Sequence, residues 1–506
     1  MSPEKLGWIG PKYVLSLFTC RKLLIEHYHC PDATMDALPD DTLIEIFDFY
    51  RLNVLEPKTH SWTWHTLVHV CKRWRTIIFS SPRSLDVQLL CKHRIPVRDT
   101  LDYFPPLPII LHYIDDVPQT PQDEDSIIAA LARPERVSRI LLDVFTESPL
   151  LNKLSTVMQQ PFPMLTHVQL CSRGKPLTRP FLTEEFLGAS APCLRCLSLR
   201  GIPFPSLSKV LLSATDLVSL ELSEISAAGY IHPEDIISSL CALTKLERLA
   251  IELRSRTPNS EQGKRSAIPQ PRAILPTLTE FDFLGASEYL EDFVARFDAP
   301  LLESLRTTVV QQPFIEFPQL SQFILRTVGD TLPNEATIHS QGDTIFVTLL
   351  HHPGNDDSNC RRQRQIRFGI TCEGLYWQVF DVAQICGEFL APVLFASVKC
   401  LRINADVNYQ GFGFEVNGND FSHWMDIFRP FKSLESLDVS ELMGPHIAKA
   451  LELAAFYLEA NVSMEQVSPV LRMIRFGSSK GDTPIERFVA MRESSGHPVT
   501  VHMSDS

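Results

Sequence analysis

Two kinds of hydrophobic spacing divide this chain. Between residues 35 and 81, apolar positions recur at helical intervals. Leu43, Ile46, Phe47 and Tyr50 fall at i, i+3, i+4 and i+7, and Leu67, Val70, Cys71, Trp74, Ile77 and Ile78 follow a similar rule. Pro39 stands where a first helical turn tolerates a missing N–H, and Asp40 and Asp41 put negative charge at the positive end of the macrodipole. The spacing predicts two short amphipathic helices joined by a polar loop at residues 51–61, which contains Pro57. A pair this small buries little apolar surface, so part of its apolar face is expected to meet a partner.

Beyond Pro82 the period shortens. Irregular strand-like runs occur at residues 85–90, 107–113 and 137–144, with a helix expected at 123–132. A six-residue pattern, L-x-x-L-x-L in its simplest form, then starts at Leu165, Leu194, Leu217, Leu246, Leu278, Leu302, Leu320, Val398, Leu434 and Leu471. Proline often stands two residues earlier, as at Pro163, Pro192, Pro276, Pro300 and Pro318. The last two apolar residues of each unit alternate inward from a short strand, and the first turns the chain into it. One such unit cannot bury its own apolar face, whereas stacked units share a continuous core. Helical return segments are expected at 180–189, 233–243, 289–297 and 379–390. Residues 254–273 read as a polar, basic loop, and 344–350 with 366–371 read as a hairpin inserted around an arginine-bearing loop.

Composition narrows the functional classes. The chain has 506 residues, 44% of them hydrophobic, enough for two or three units. A net charge of −13 without a long basic run argues against nucleic acid as a partner. Twelve cysteines are scattered, several within apolar stretches (Cys71, Cys196, Cys386, Cys400), as suits a reducing cytosol or nucleus. The apolar piece at residues 13–20 is too short to span a bilayer and is poorly formed as a signal peptide. Val14, Leu17, Phe18 and Ile25 instead suggest a short packing helix, and no membrane association is expected. Candidate chemistry is thin. Cys20, His27, His29 and Cys30 lack the paired spacing of a zinc finger. Cys193 and Cys196 lead into a strand rather than open a helix, so they read as packing. Residues 411–418 read as a strand ending in an Asn-Gly turn, with the wrong spacing for a dinucleotide loop. Gly477-Ser478-Ser479-Lys480-Gly481 matches G-x-S-x-G, but Asp482 and His497 lie too close in sequence to complete an α/β-hydrolase triad.

Leu38-Pro39, Leu43, Ile46-Phe47, Val70-Cys71, Trp74-Arg75 and the closing Ser80-Ser81-Pro82, in that order, resemble an F-box. The spacing between the halves is longer than usual. That long form resembles the F-box proteins that mushroom-forming fungi carry in large families. The later segments, spaced from about 18 to about 32 residues between Leu165 and Leu320, resemble divergent leucine-rich repeats. They depart from that family where an Asn or Cys usually follows the strand: Arg200-Gly201-Ile202 and Leu284-Gly285-Ala286 stand there instead.

The resemblance implies an α/β chain: a short helical F-box followed by an irregular leucine-rich-repeat solenoid, or horseshoe, of parallel strands. The layout is a helical segment at 1–34, the F-box at 35–84, repeats at 85–490 with insertions near 254–273 and 344–371, and a tail at 491–506. It also implies a non-catalytic substrate-recognition subunit of an SCF-type cullin–RING ubiquitin ligase, without cofactor or metal, in the cytoplasm or nucleus. The F-box would dock on a Skp-type adaptor, and through it on the cullin, over about 1,600 Å² in total. The repeats would hold an unknown target protein. Leu38, Pro39, Leu43, Ile46, Phe47, Val70, Cys71 and Trp74 are the residues expected in or beside the adaptor interface. Trp74 is the expected hot spot, worth at least about 2 kcal/mol on truncation. The alternatives are an F-box scaffold that assembles no ligase and, more remotely, a serine hydrolase using Ser479.

Overall fold

The computed structural model describes residues 38–503 apart from 54–66, 81–87, 94–96, 98–100, 102–105, 115–119, 175–176, 178–181, 205–207, 227–228, 255–271, 311–316, 330, 342–343, 353–363, 372–381, 384, 391, 406–419, 460–469 and 478–484. The chain divides into two compact units, Met1–Leu90 and Cys91–Ser506. The helical segment expected at 1–34, most of the linking loop and the loop at 255–271 lie outside the described residues.

In the first unit, α1 (Asp40–Asn53) and α2 (Lys72–Ser80) form where the apolar stripes predict helices. Asp40 and Asp41 occupy the first turn of α1, and the Leu43 N–H donates to the Pro39 carbonyl at 3.1 Å. A short strand, β1 (Leu89–Cys91), spans the boundary between the units.

The second unit carries a large, mostly parallel sheet with helices in the connections; the sheet has sixteen strands in all. It begins with β2 (Ile109–Tyr113), α3 (Pro121–Leu131), β3 (Val137–Phe145), α4 (Leu150–Val157) and β4 (His167–Arg173). β5 (Cys196–Arg200), α5 (Ser208–Ser213), β6 (Ser219–Ile225), α6 (Pro233–Leu240) and β7 (Arg248–Leu253) follow. Then come β8 (Ala273–Ile274), β9 (Glu280–Gly285), α7 (Ser287–Val294), β10 (Phe297–Asp298) and β11 (Ser304–Val310). β8 and β10 form a separate two-stranded sheet.

The repeated Leu pattern becomes registered rows. Val168, Leu197, Leu220, Leu249, Phe281 and Leu305 lie side by side and are buried. Leu170, Leu199, Leu222, Ile251, Phe283 and Thr307 make the next buried row. The first Leu of each unit, such as Leu194, Leu217 and Leu246, is buried in a turn just before its strand. The next N–H extends the ladder: Thr166 donates to Ser138, Arg195 to Thr166, Val218 to Arg195 and Glu247 to Val218, all at 2.8–2.9 Å. These backbone bonds tie successive units together without a ladder of Asn side chains. At the other strand end Gly201, at φ +64°, donates to the Ser223 carbonyl at 2.9 Å, and Arg200 pairs with Glu224 at 3.0 Å.

The helices present apolar faces to the buried rows. Phe281 of β9 contacts Phe293 of α7 at 5.6 Å between centroids, Phe293 contacts Phe297 at 5.2 Å, and Phe297 contacts Phe323 at 5.0 Å. Burying each such ring contributes about 1.5–3 kcal/mol. α3 is opened by a capping box, with Thr120 and Asp123 exchanging hydrogen bonds. Pro233 opens α6 from a first-turn position, where its missing N–H leaves nothing unpaired.

The second unit departs from expectation in several places. Leu320–Leu325 is not a strand but part of α8 (Pro318–Val328). Leu320, Phe323, Ile324 and Val328 are its buried face, a helical spacing that the six-residue pattern also satisfies. At 180–189 the described residues hold a 3-10 turn, Phe186–Ala189, rather than an α-helix. The Leu187 N–H is captured by the Met158 carbonyl at 2.7 Å, and Leu187, Gly188 and Ala189 take positive φ. The expected hairpin is present as β13 (Thr344–His351) and β14 (Arg364–Thr371), but β12 (Glu335–Gln341) joins it as a third antiparallel strand. The order therefore runs β11-β14-β13-β12-β15, β15 being Cys400–Ala405, with β14 parallel to β11 and β12 parallel to β15. In the stretch expected as a helix at 379–390, the described residues include a π-helical turn, Ile385–Phe389.

The remaining elements are α9 (Val393–Ala396), α10 (Asp420–Phe428), β16 (Ser436–Val439), α11 (Gly444–Glu459), β17 (Met473–Phe476), α12 (Glu486–Ser494) and β18 (Thr500–Met503). β18 lies within the expected tail and pairs in parallel with β17. Among the described residues no helix is long and apolar enough to cross a membrane.

Candidate functional site

The first unit sorts the motif residues into two sets. Leu43 and Phe47 of α1 and Trp74, Ile77 and Ile78 of α2 are buried, as are Leu67 and Val68 just before α2. The Phe47 and Trp74 rings meet at 4.7 Å between centroids, tilted by 57°. These side chains hold the helices, and Trp74 at 7% exposure is not on the surface of this chain. The second set faces outward. Pro39 is exposed and Val70 is 50% exposed, while Leu38, Ile46 and Cys71 are half-buried. Phe49 adds another exposed ring on α1, at 69%.

Polar bonds fix the ends of the pair. The Arg73 guanidinium donates to the Asp40 carboxylate at 2.7 Å and to the Leu38 carbonyl at 2.5 Å, joining the start of α2 to the start of α1. The Asp40 side chain is 63% exposed, so that ion pair contributes little to stability. Cys71 caps α2: its thiol accepts the Trp74 N–H at 3.4 Å. Arg75 donates to the Val68 carbonyl at 3.0 Å, which shapes the turn that presents Val70.

The second unit offers a broad polar sheet face. Side chains that alternate with the buried rows point away from the helices, and most of their arginines are engaged. Arg306 pairs with Asp282 at 2.6 Å, Arg402 with Glu335 at 2.5 Å and Arg475 with Asp438 at 3.1 Å. Arg367 lies over the Phe346 ring, 3.7 Å from its centroid. Gly369, in register with Phe346, leaves the room that ring needs, since an added Cβ would sit 2.7 Å from it.

The sequence motifs that suggested chemistry do not converge. Ser479, Asp482, residues 411–418 and the Cys20–Cys30 group lie outside the described residues. His497 is exposed at the end of α12's following turn. Cys193 is exposed and Cys196 half-buried, both as free thiols, and burial pushes the Cys196 thiol up, away from thiolate reactivity. Among the described residues no group of three His, Cys, Asp or Glu side chains is placed to hold a metal ion. Comparison of the sequence with known families and with curated proteins gives no match to either.

Sequence reasoning placed the adaptor set on one stripe and did not separate its two sides. Periodicity marks which residues are apolar together. It does not say which of them a second helix covers. It also missed Arg139 and Arg248 on the polar sheet face and Arg195 at the entry to β5. Arg139 and Arg248 share one register row, and Arg195 adjoins the residue between them at Cys196. The available signal was positional: Arg248 holds the third place of its L-x-x-L-x-L unit and Arg195 the second.

Proposed function

We propose that the chain is the substrate-recognition subunit of an SCF-type cullin–RING ubiquitin ligase, its α1–α2 pair docking on a Skp-type adaptor. The observation that carries this reading is the division of the motif residues. Phe47 and Trp74 lock the pair together, and Pro39, Val70, Leu38, Ile46 and Cys71 remain at least partly open to a partner. An apolar edge of this kind, on a pair too small to be a domain, fits an interface with another protein. The second unit is read as an irregular leucine-rich-repeat solenoid. Its registered Leu rows and unit-to-unit backbone bonds support that reading. The polar sheet face would hold the target protein, in the cytoplasm or nucleus. The chain would contribute proximity, holding a target lysine near the conjugating enzyme, and catalysis would lie elsewhere in the assembly.

Surface variants test this better than core variants. Val70→Glu combined with Ile46→Glu is expected to abolish co-elution of the full chain with the adaptor while leaving its helix content unchanged. Co-elution undiminished by the double variant would refute adaptor docking through this edge. Adaptor binding without ubiquitylation of captured partners, with the cullin present, would leave the scaffold reading in place of the ligase.

A further inference from the structure

We propose that Arg139, Arg195 and Arg248 form a binding site on the polar sheet face for an acidic, carboxylate-bearing peptide segment of a target protein. The proposal rests on the reading of that face as the target-holding surface and names the chemistry it selects.

The starting observation is a contrast. On this face Arg173, Arg200, Arg306, Arg402 and Arg475 are each held by a carboxylate of the chain. Arg139, Arg195 and Arg248 are not: no ion pair or side-chain hydrogen bond joins them to any described residue. Uncompensated guanidiniums are the exception in a chain of net charge −13.

Register then places them together. Arg139 on β3 faces His167 on β4, His167 faces Cys196 on β5, Cys196 faces Ser219 on β6, and Ser219 faces Arg248 on β7. Arg195 directly precedes Cys196, at the entry to β5, within electrostatic reach of Cys196 and His167. At about 4.8 Å per strand, Arg139 and Arg248 are about 19 Å apart, the span of about six extended residues. Electrostatics bears out the grouping. His167 is held below its ordinary pKa by burial first and then by Arg139 and Arg195. The Cys196 thiol feels Arg248, Arg139 and Arg195 together. With His167 kept neutral, the charge of the row is that of its three arginines.

Glu280 stands in register beside Arg248 and Asp216 lies within electrostatic reach of Arg195, but neither forms an ion pair with these arginines. Asp216 is taken by Lys245 at 2.6 Å, and Glu280 approaches Arg306 at 3.8 Å. Glu247, adjacent in the chain to Arg248, makes no ion pair with it. Guanidinium groups bind carboxylates through paired, charge-assisted hydrogen bonds. A short acidic peptide crossing β3 to β7 would meet all three. The acidic balance of the chain, with a net charge of −13 and no long basic run, favours a short carboxylate-bearing segment over a long polyanion such as nucleic acid.

The test uses the full chain and a fluorescein-labelled hexaglutamate peptide, followed by anisotropy at low salt. Saturable binding is expected, weakened at least about tenfold in Arg139→Gln/Arg248→Gln and unchanged in Arg475→Gln, which alters a paired arginine elsewhere on the face. Arg195→Gln alone is expected to weaken it less. The proposal is overturned by equal binding to the double variant, by absence of saturable binding, or by an oligothymidylate of equal charge binding as tightly. Circular dichroism and thermal unfolding of the same samples report the fold, and adaptor co-elution is measured beside them. Co-elution separates failure of this site, in which it persists, from failure of the F-box reading, in which it is lost while the probe still binds.

Discussion

Phe47 and Trp74 join the two helices of the first unit rather than face outward from them. Their rings are buried against each other, so truncating either opens a cavity inside the first unit. Trp74→Ala is expected to destabilise that unit by about 3–5 kcal/mol, seen as loss of helix signal or faster amide exchange in α1 and α2. Val70→Glu alters an exposed side chain and is expected to change stability by no more than about 0.5 kcal/mol. A second residue-scale effect concerns Glu252. Burial is the main cause that lifts its carboxyl above the ordinary range, with Glu224 adding to it and Arg200 and Arg254 opposing. A carboxyl raised in the folded state binds its proton more tightly there than when unfolded. Stability is therefore lost as pH rises from the ordinary carboxylate value through the raised one. Glu252→Gln is expected to raise the melting temperature at pH 7 and to give no gain in strong acid. Equal effects at both pH values would exclude this cause. None of these roles could be read from residue type. The Phe47–Trp74 contact was one pairing among several that the two stripes allowed, and the burial of Glu252 follows from neighbours on adjacent strands.

At the scale of elements, capping explains what propensity leaves open. α8 has no side-chain cap of its own. Instead, the Glu291 carboxylate of α7 accepts the N–H groups of Gln319 and Leu320, each at 2.8 Å. Glu291→Ala is expected to cost about 1 kcal/mol, measured by chemical unfolding, with exchange increased at the start of α8. Glu452 of α11 reaches the Phe488 N–H of α12 in the same way, at 3.2 Å. These contacts couple neighbouring helices within the second unit. Residues 318–328 fit a strand and a helix equally well in sequence. Pro318 lies two residues before Leu320, as proline does before the strands, yet it also suits the first turn of a helix. The apolar positions fit both periods. The strands were more legible, because their alternating Leu residues face inward and fix a two-residue period. β12 escaped notice because Glu335–Gln341 lacks the Leu pattern and finds its partners in β13 and β15, the latter some sixty residues farther on.

At the scale of the molecule, two units with different chemistry share one chain. The first offers a small apolar edge, and the second a wide polar face in which charges are mostly paired. The parallel rows from β4 to β11 were readable from the sequence because each unit repeats the same buried positions. The exchange of strand order between β11 and β15 was not, since it depends on pairing between distant segments. The unpaired arginines were hidden for the same reason: register alone brings Arg139 and Arg248 onto one row of the sheet. The most direct measurement of the central claim is photo-crosslinking of the full chain to a Skp-type adaptor from a reactive residue placed at Val70, with Leu212, 54% exposed in the second unit, as the comparison site. A strong adduct from Val70 and none from Leu212 is the expected result. No adduct from Val70, or an equal one from both positions, would contradict adaptor docking at the α1–α2 edge.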